Sequence, residues 1–249
     1  MFTSLPKRLA AFDFDYTIVD DNTDTVIRGL LPASEVVKYS CTDFKCWTYY
    51  MQDIFNKLYQ RNVSDLDITN EIIKIQPVSG MKTLIKKLKD ELNFDIIIIS
   101  DSNTLFIDKW LSSVGLKDYI LQVFSNPAQF VDQQLQIQPY HEQTDCKLSP
   151  YNMCKYRILD EFLQSQKQNN VNYSAIYYFG DGSNDFCPIS QLSTNDIGCV
   201  RFGYKCLDML QKCILKQPPK NVLENHIRSE IFIWHDGHDL LKFISAKVK

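Results

Sequence analysis

The sequence predicts an α/β fold, a doubly wound parallel sheet with a small helical segment inserted after its first strand. Short apolar runs rich in β-branched residues alternate with segments whose apolar residues recur at helical spacing, as in strands joined by crossover helices. Three of those runs stop at clusters of aspartate, serine, asparagine and glycine. Residues 23–77 break the alternation, with helical patterns and no buried strand between them. The 249 residues suffice for one large core with an inserted subdomain: 1–22 and 78–249 as the core, 23–77 as a helical cap. With 45% hydrophobic residues, only 8 glycines and 9 prolines, and no repeat, disordered and fibrous classes are excluded.

Arg8 to Phe14 is an apolar run too short for a helix and broken by acidic residues, which predicts a buried parallel strand. In the insertion, Phe44 to Tyr59 and Leu66 to Ile75 carry helical spacing. Ser79 to Leu92 places Met81, Leu84, Ile85 and Leu88 on one helical face and lysines elsewhere. Phe94 to Ile99, dominated by isoleucine, is the second strand and stops at Ser-Asp-Ser-Asn. Thr104 to Val114 is helical, and Gln133 to Pro150, with two prolines, suggests a hairpin and loop. A helix over Tyr151 to Leu163 leads to a third strand, Ser174 to Phe179, ending in Gly180-Asp181-Gly182. Helices over Asn184 to Leu192 and Tyr204 to Leu215 and strands over Asp196 to Phe202 and Glu230 to Trp234 complete the alternation, with a terminal helix after Trp234.

A net charge of −3 supplies no field to attract nucleic acid or an anionic membrane. The longest apolar stretch, near Ile96 to Ile99, is far short of the about 20 residues a membrane span needs. Met1 to Ala11 runs quickly into Asp13 and Asp15 and lacks a signal core, so the chain reads as untargeted and soluble. Cysteines at 41, 46, 146, 154, 187, 199, 206 and 213 follow no disulfide framework, and reduced thiols in a cytoplasmic protein fit best.

In an open parallel sheet, ligands bind beyond the carboxyl ends of the strands. There stand Asp13-Phe14-Asp15-Tyr16-Thr17, Ser100-Asp101-Ser102-Asn103 and Gly180-Asp181-Gly182-Ser183-Asn184-Asp185, with Lys155 on the helix before the third strand. A single such cluster is a common turn or cap. Four in this order resemble the haloacid dehalogenase superfamily of aspartate-nucleophile phosphotransferases, whose core is a Rossmann-like doubly wound sheet. That resemblance implies Asp13 as nucleophile and Asp15 as general acid and then base. It implies that Thr17, Ser100, Asp101, Lys155 and Asn184 hold the phosphoryl group. Magnesium would be ligated by Asp13, the backbone carbonyl of Asp15 and Asp181, with Asp185 supporting that site and Lys155. These residue types suit phosphoryl transfer, because a carboxylate can form an acyl phosphate but two anions approach only with a cation between them. Magnesium prefers hard oxygen ligands and requires neither histidine nor cysteine.

Asp15 favours phosphate-ester hydrolysis over dehalogenation, because it can protonate an alcohol leaving group. The long helical insertion resembles the branch acting on small molecules. Residues 13–24 (Asp-Phe-Asp-Tyr-Thr-Ile-Val-Asp-Asp-Asn-Thr-Asp), Phe-Ser-Asn-Pro at 124–127, Asn-Met-Cys-Lys at 152–155 and Gly-Asp-Gly-Ser-Asn-Asp-Phe-Cys-Pro at 180–188 resemble the phosphoethanolamine/phosphocholine phosphatase family along nearly the whole chain. That family includes a relative acting on pyridoxal 5′-phosphate. The resemblance implies that Asp24 and Asp101 select the substrate, and carboxylates suit a cationic head. Asp101 reads equally well as the cap of the helix near Thr104, and Asp24 carries a similar double reading. The cap aromatics Phe44, Trp47, Tyr49, Tyr50, Phe55 and Tyr59 could offer cation–π contacts or a flat slot for pyridoxal phosphate, but such a stripe is more often packed core. A phosphoserine phosphatase would carry glutamate where Asn22 stands, and Tyr16 replaces the acidic residue usual in the phosphocholine branch. Thiamin monophosphate or phosphoserine hydrolysis and a catalytically silent sensor or scaffold are the alternatives.

His235-Asp236-Gly237-His238-Asp239 reads as a turn and helix cap rather than a metal site. His141, Cys146 and Cys154 form at most a partial, irregularly spaced zinc set. Cys206 and Cys213 share a helix face and read as packing.

Overall fold

Six parallel strands form the central sheet: β1 (Arg8–Phe12), β2 (Phe94–Asn103), β3 (Gln122–Asn126), β6 (Ile176–Gly180), β7 (Ile197–Arg201) and β8 (Glu230–Trp234), in the order β3-β2-β1-β6-β7-β8. They belong to a computed structural model that describes residues 6–215 and 227–248. Residues 1–5 of the stretch read as untargeted lie outside the described residues. Strand order runs one way from β1 through β2 to β3 and the other way from β6 to β8, so the switch point lies between β1 and β6.

Both faces of the sheet are covered, because the central strands are mainly apolar and their alternate side chains point to opposite faces. On one side Ala10, Phe12, Ile96, Ile98, Tyr177 and Phe179 pack against α5 (Met81–Asp90), α6 (Thr104–Val114) and α10 (Gly237–Lys247). The four apolar residues of the α5 stripe are all buried there. On the other side Leu9, Ala11, Ile97, Ile99, Tyr178 and Val200 pack against α7 (Lys155–Gln168), α8 (Phe186–Gln191) and α9 (Lys205–Ile214). Each fully buried leucine or isoleucine is worth about 1.5–3 kcal/mol relative to exposure, so these faces drive the layering.

Between β1 and α5 lie α1 (Thr23–Arg28), α2 (Cys41–Phe44), α3 (Trp47–Gln60) and α4 (Asp65–Lys74). A capping box at Ser64 and Asp67 starts α4. The two ends of this helical segment run side by side: Asp20 donates its amide to the Gln76 carbonyl at 2.8 Å and Val78 to that of Ile18 at 3.0 Å. Below this crossing the fully buried Trp110 meets Phe14 edge-on at 5.5 Å and donates its indole N–H to the Ile75 carbonyl. The helices of the insertion bury Ile27, Tyr50, Ile54, Leu58, Ile68 and Ile72 in the same apolar cluster as the sheet face.

The structure differs from expectation in adding β3, in the extents of β2 and the hairpin, and at one cap. β2 continues beyond Ile99 to Asn103, because a register shift between Ser100 and Asn103 bulges Asp101 and Ser102 outward while pairing resumes at Asn126. The hairpin of β4 (Ala128–Val131) and β5 (Gln134–Ile137) begins before Gln133, and β5 packs against α3. Asn103 caps α6, accepting the Phe106 amide at 3.0 Å, so Asp101 is not the capping residue. Asp236 caps α10 through the amides of His238 and Asp239, as a turn-and-cap reading of that segment requires.

Candidate active site

The loop after β1 is built to aim two carboxylates. The Asp13 amide still pairs with the Phe179 carbonyl at 2.8 Å, which keeps Asp13 in register with β6. Tyr16 then turns with φ of 54°, and the amides of Thr17, Ile18 and Val19 converge on the Phe14 carbonyl. A non-glycine residue in this left-handed region costs energy, and the surroundings hold it there. Arg201, buried at the end of β7, donates to the Tyr16 carbonyl at 2.6 Å, pairs with Asp20 at 2.6 Å, and stacks its guanidinium over Tyr204.

Around Asp13 the chain gathers charge that water cannot screen. Lys155, the first residue of α7 and 1% exposed, contacts Asp13 at 2.9 Å and Asp185 at 2.7 Å. Asp185 also accepts from the Tyr178 hydroxyl at 3.0 Å and from the amides of Asp181 and Gly182 at 3.1 and 2.9 Å. Its carboxylate is thereby fully engaged as a structural clasp. Gly180 makes room for it, since a Cβ there would stand 2.4 Å from the Asp185 carboxyl carbon. Asp181 accepts from the Thr17 hydroxyl at 3.3 Å. Thr17 is fully buried beneath the cavity, so its hydroxyl serves Asp181.

Carboxylate oxygens of Asp13, Asp181 and Asp185 all lie within 4.8 Å of one another, with Lys155 the cation in contact with two of them. Burial, and then the Asp185 charge, raise the Asp13 carboxyl to about 7. Burial, and then Asp13, raise Asp181 to about 8. Burial works against the Lys155 charge, but Asp13 and Asp185 outweigh it and raise its pKa. Three buried carboxylates against one ammonium leave an excess of negative charge, and the donors are hard oxygens; both features fit a magnesium ion.

Asp15 is held by the insertion. It accepts the amide and hydroxyl of Thr23 at 3.0 and 3.2 Å and the side-chain amide of Asn22 at 3.1 Å, while Asn22 caps α1. Burial, and then the nearby Asp24 charge, raise the Asp15 carboxyl well above its ordinary range, which favours the protonated form a general acid needs.

Above these groups opens a cavity of about 730 Å³. Asp13, Asp15, Asp24, Ser100, Asp101, Asp181 and Asn184 line it, whereas Thr17, Lys155 and Asp185 lie behind its wall. Asp24 accepts the Trp47 indole N–H at 2.6 Å, and its other oxygen has no partner. Burial raises the Asp24 carboxyl to about 7, with Asp101 adding to the rise against the Trp47 hydrogen bond. Asp101 is fixed by the side-chain amides of Asn126, at 3.1 Å, and Asn152. The same Asn126 amide donates to the carbonyls of Asp101 and Ser102, holding the β2 bulge. Among the six cap aromatics, Trp47 lines the cavity, while Tyr50 and Phe55 are packed core.

Sequence reasoning thus missed Thr23, Asn126, Asn152 and Arg201 as site residues, and weighed Trp47 only as one of six cap aromatics. An arginine within a strand otherwise read as buried was a usable signal for Arg201, and Asn126 and Asn152 stood in motifs already singled out. Thr23 likewise stood in the 13–24 motif, with no role assigned to it.

Comparison with solved structures supports the fold. A phosphoserine phosphatase with substrate bound aligns at a TM-score of 0.59 with 16% identity, covering 96% of this chain and 99% of that one. A phospho-aspartyl intermediate analogue of phosphoserine phosphatase aligns at 0.58 with 18% identity and the same coverage. Among sequences, the pyridoxal phosphate phosphatase PHOSPHO2 of Homo sapiens is 34% identical over 249 residues, covering 98% of this chain and 99% of that protein. The phosphoethanolamine/phosphocholine phosphatase of Homo sapiens is 30% identical over 250 residues, covering 98% and 90%. Residues 8–248 match a family model that spans the whole sheet and every element of the cavity, and on that match the chain belongs to the family described as "Putative Phosphatase".

Proposed function

We propose that the protein is a magnesium-dependent phosphatase that hydrolyses a small phosphate monoester through an aspartyl-phosphate at Asp13. The observation that carries this reading is the pairing of two differently tuned carboxylates. Asp13 contacts Lys155 and belongs to the metal-suited cluster, whereas Asp15, two residues away, is held by Thr23 and Asn22 outside it, its carboxyl pushed up by burial and by Asp24. In the first step an Asp13 oxygen attacks phosphorus, the bond to the leaving oxygen breaks, and Asp15 gives its proton to that oxygen. In the second, Asp15 takes a proton from water as the water oxygen attacks phosphorus, and the Asp13–phosphorus bond breaks. Lys155 holds Asp13 in position and stabilises the charge that gathers around the phosphoryl group. Asp13, Asp181 and the backbone carbonyl of Asp15, with Asp185 in support, would hold magnesium, which would supply charge neutralisation for the approach of two anions. Ser100 and Asn184 line the cavity where phosphoryl oxygens would sit, with the Asp101 segment beside them.

Residues 23–77 act in this reading as a cap that carries substrate selection through Asp24 and Trp47. An acidic pair, Asp24 and Asp101, beside an indole suits a cationic head such as an ammonium, a trimethylammonium or a protonated pyridine ring. Pyridoxal 5′-phosphate, phosphoethanolamine and phosphocholine are therefore the substrates to test. That the relatives named above act on these compounds supports the same set. Eight free thiols favour a reducing compartment and so a cytoplasmic enzyme. The experiment is phosphate release from these three esters, thiamin monophosphate and phosphoserine, compared as kcat/KM with and without EDTA. Magnesium-dependent release led by one of the first three supports the reading. Binding of the esters without release from any would overturn it in favour of a sensor.

A further inference from the structure

The chain between β5 and α7, residues 138–154, runs 17 residues without helix or strand. Loops beyond about 12–15 residues are uncommon in a small domain unless something fixes them. Three sulfurs meet there. Cys146 lies 3.4 Å from Cys187, Sγ to Sγ, and all three sulfurs of Cys146, Cys154 and Cys187 fall within 4.8 Å of one another. The Ser149 hydroxyl accepts from the Cys146 thiol at 3.4 Å, which brings a fourth heteroatom to the cluster. Cys154 and Cys187 are each 2% exposed, and Cys146 is half-buried. Gln143 ties the loop into this shape, donating to the carbonyls of Cys146, Ser149 and Pro150 and accepting the Cys146 amide at 2.9 Å.

We propose that Cys146, Cys154 and Cys187 bind one zinc-class cation, with Ser149 or a water at the fourth position. Sulfurs bound at about 2.3 Å around a tetrahedral zinc stand about 3.8 Å apart, so this cluster already has the dimensions of such a cage. Thiolates select zinc over magnesium, which keeps this site chemically distinct from the carboxylate cluster. His141, read from sequence as a member of a partial set, is replaced by Cys187: its Nε2 accepts the Cys154 amide at 2.9 Å and orients that residue. The three ligands come from two segments that sequence spacing alone does not join.

The site has a consequence for catalysis that is independent of which ester is hydrolysed. Cys154 immediately precedes Lys155, Cys187 stands two residues after Asp185, and Leu148 and Pro150 of the same loop line the cavity. A cation shared by these thiols would clamp the Lys155–Asp185 pair and the cavity rim together.

The test uses the full chain, purified in the presence of zinc and dialysed against chelator-free buffer with excess magnesium, which competes for the carboxylate cluster and not for the thiolates. Elemental analysis is expected to find about one zinc per chain, and cobalt exchange to give thiolate charge-transfer absorption in the near ultraviolet, which carboxylate-bound cobalt does not show. Cys146→Ser, on the half-buried loop, should release its zinc to a chromogenic chelator at least tenfold faster, and Cys187→Ser likewise. Cys41→Ser, exposed and outside the cluster, should release it at the parent rate. Ser149→Cys completes four thiolates and should slow release at least tenfold; an unchanged rate would remove Ser149 from the site. A folded parent protein with no zinc and no thiolate–cobalt band, a band that survives Cys146→Ser, or a Cys146–Cys187 disulfide in zinc-treated protein would each overturn the proposal.

Discussion

Lys155→Met removes the ammonium from a place where nothing can replace it. The side chain is 1% exposed and touches Asp13 at 2.9 Å and Asp185 at 2.7 Å. After the substitution Asp185 keeps three donors, the Tyr178 hydroxyl and the amides of Asp181 and Gly182, whereas Asp13 keeps the Phe14 amide. Breaking a buried ion pair from one side typically costs about 3–5 kcal/mol, against a total stability of about 5–15 kcal/mol for a domain. Methionine preserves most of the volume, so the loss reports charge rather than a cavity. The deficit should shrink as pH falls, because Asp13, raised to about 7, and Asp181, raised to about 8, become neutral and no longer need the lysine. Urea unfolding in EDTA at pH 8 and pH 5 measures this directly, with kcat/KM at neutral pH expected to fall at least about 100-fold. A variant within about 1 kcal/mol of the parent at pH 8, or one hurt more at pH 5, would refute the reasoning.

Two further outcomes follow from the same electrostatics. In EDTA, Asp13 and Asp181 carry pKa values raised from 3.8 in the unfolded chain, so between about pH 4 and 8 the folded protein binds more protons and its stability falls as pH rises. A carboxylate moved from 3.8 to about 7 contributes up to about 4 kcal/mol of that loss. Magnesium should therefore raise Tm more at pH 8 than at pH 5, and equal shifts in scanning calorimetry would contradict the cluster's role. Trp47→Phe takes the N–H from Asp24, whose other oxygen already lacks a partner. Losing a donor to the ionised form pushes its pKa further above about 7, so KM for a cationic ester should rise several-fold at pH 7, less at pH 9, with kcat held. An equal rise in KM for an uncharged-head ester would show that Trp47 acts through shape alone.

The sheet was legible because buried parallel strands announce themselves as apolar runs, and β8 and α6 occupy the predicted ranges Glu230–Trp234 and Thr104–Val114. β3 was not, since Gln122-Val-Phe-Ser-Asn is an edge strand bonded on one side and only partly apolar. α1 and α2, six and four residues long, are too short for a periodic signal, and Asn22 and Ser40 start them by capping. Asp13, Asp15, Asp181 and Lys155 could be read from sequence because each follows directly on a strand end or opens a helix. Thr23, Asn126 and Arg201 could not, because their work is to reach residues 8, 25 and 185 positions away. The cysteine cluster was half visible for the same reason: Cys187 is 41 residues from Cys146.

The central claim is that a covalent phosphoryl group forms on Asp13. Asp15→Asn, which retains the shape of the acid and base but cannot move its proton, should slow breakdown of that intermediate and let it accumulate with an ester whose leaving group needs no protonation. Acid quench, proteolysis and mass spectrometry of this variant with magnesium should find one phosphoryl group, on the peptide containing Asp13 and lost on treatment with hydroxylamine. A phosphoryl group on any other residue, or turnover by the parent enzyme with no phosphoryl-protein in either chain, would contradict the account.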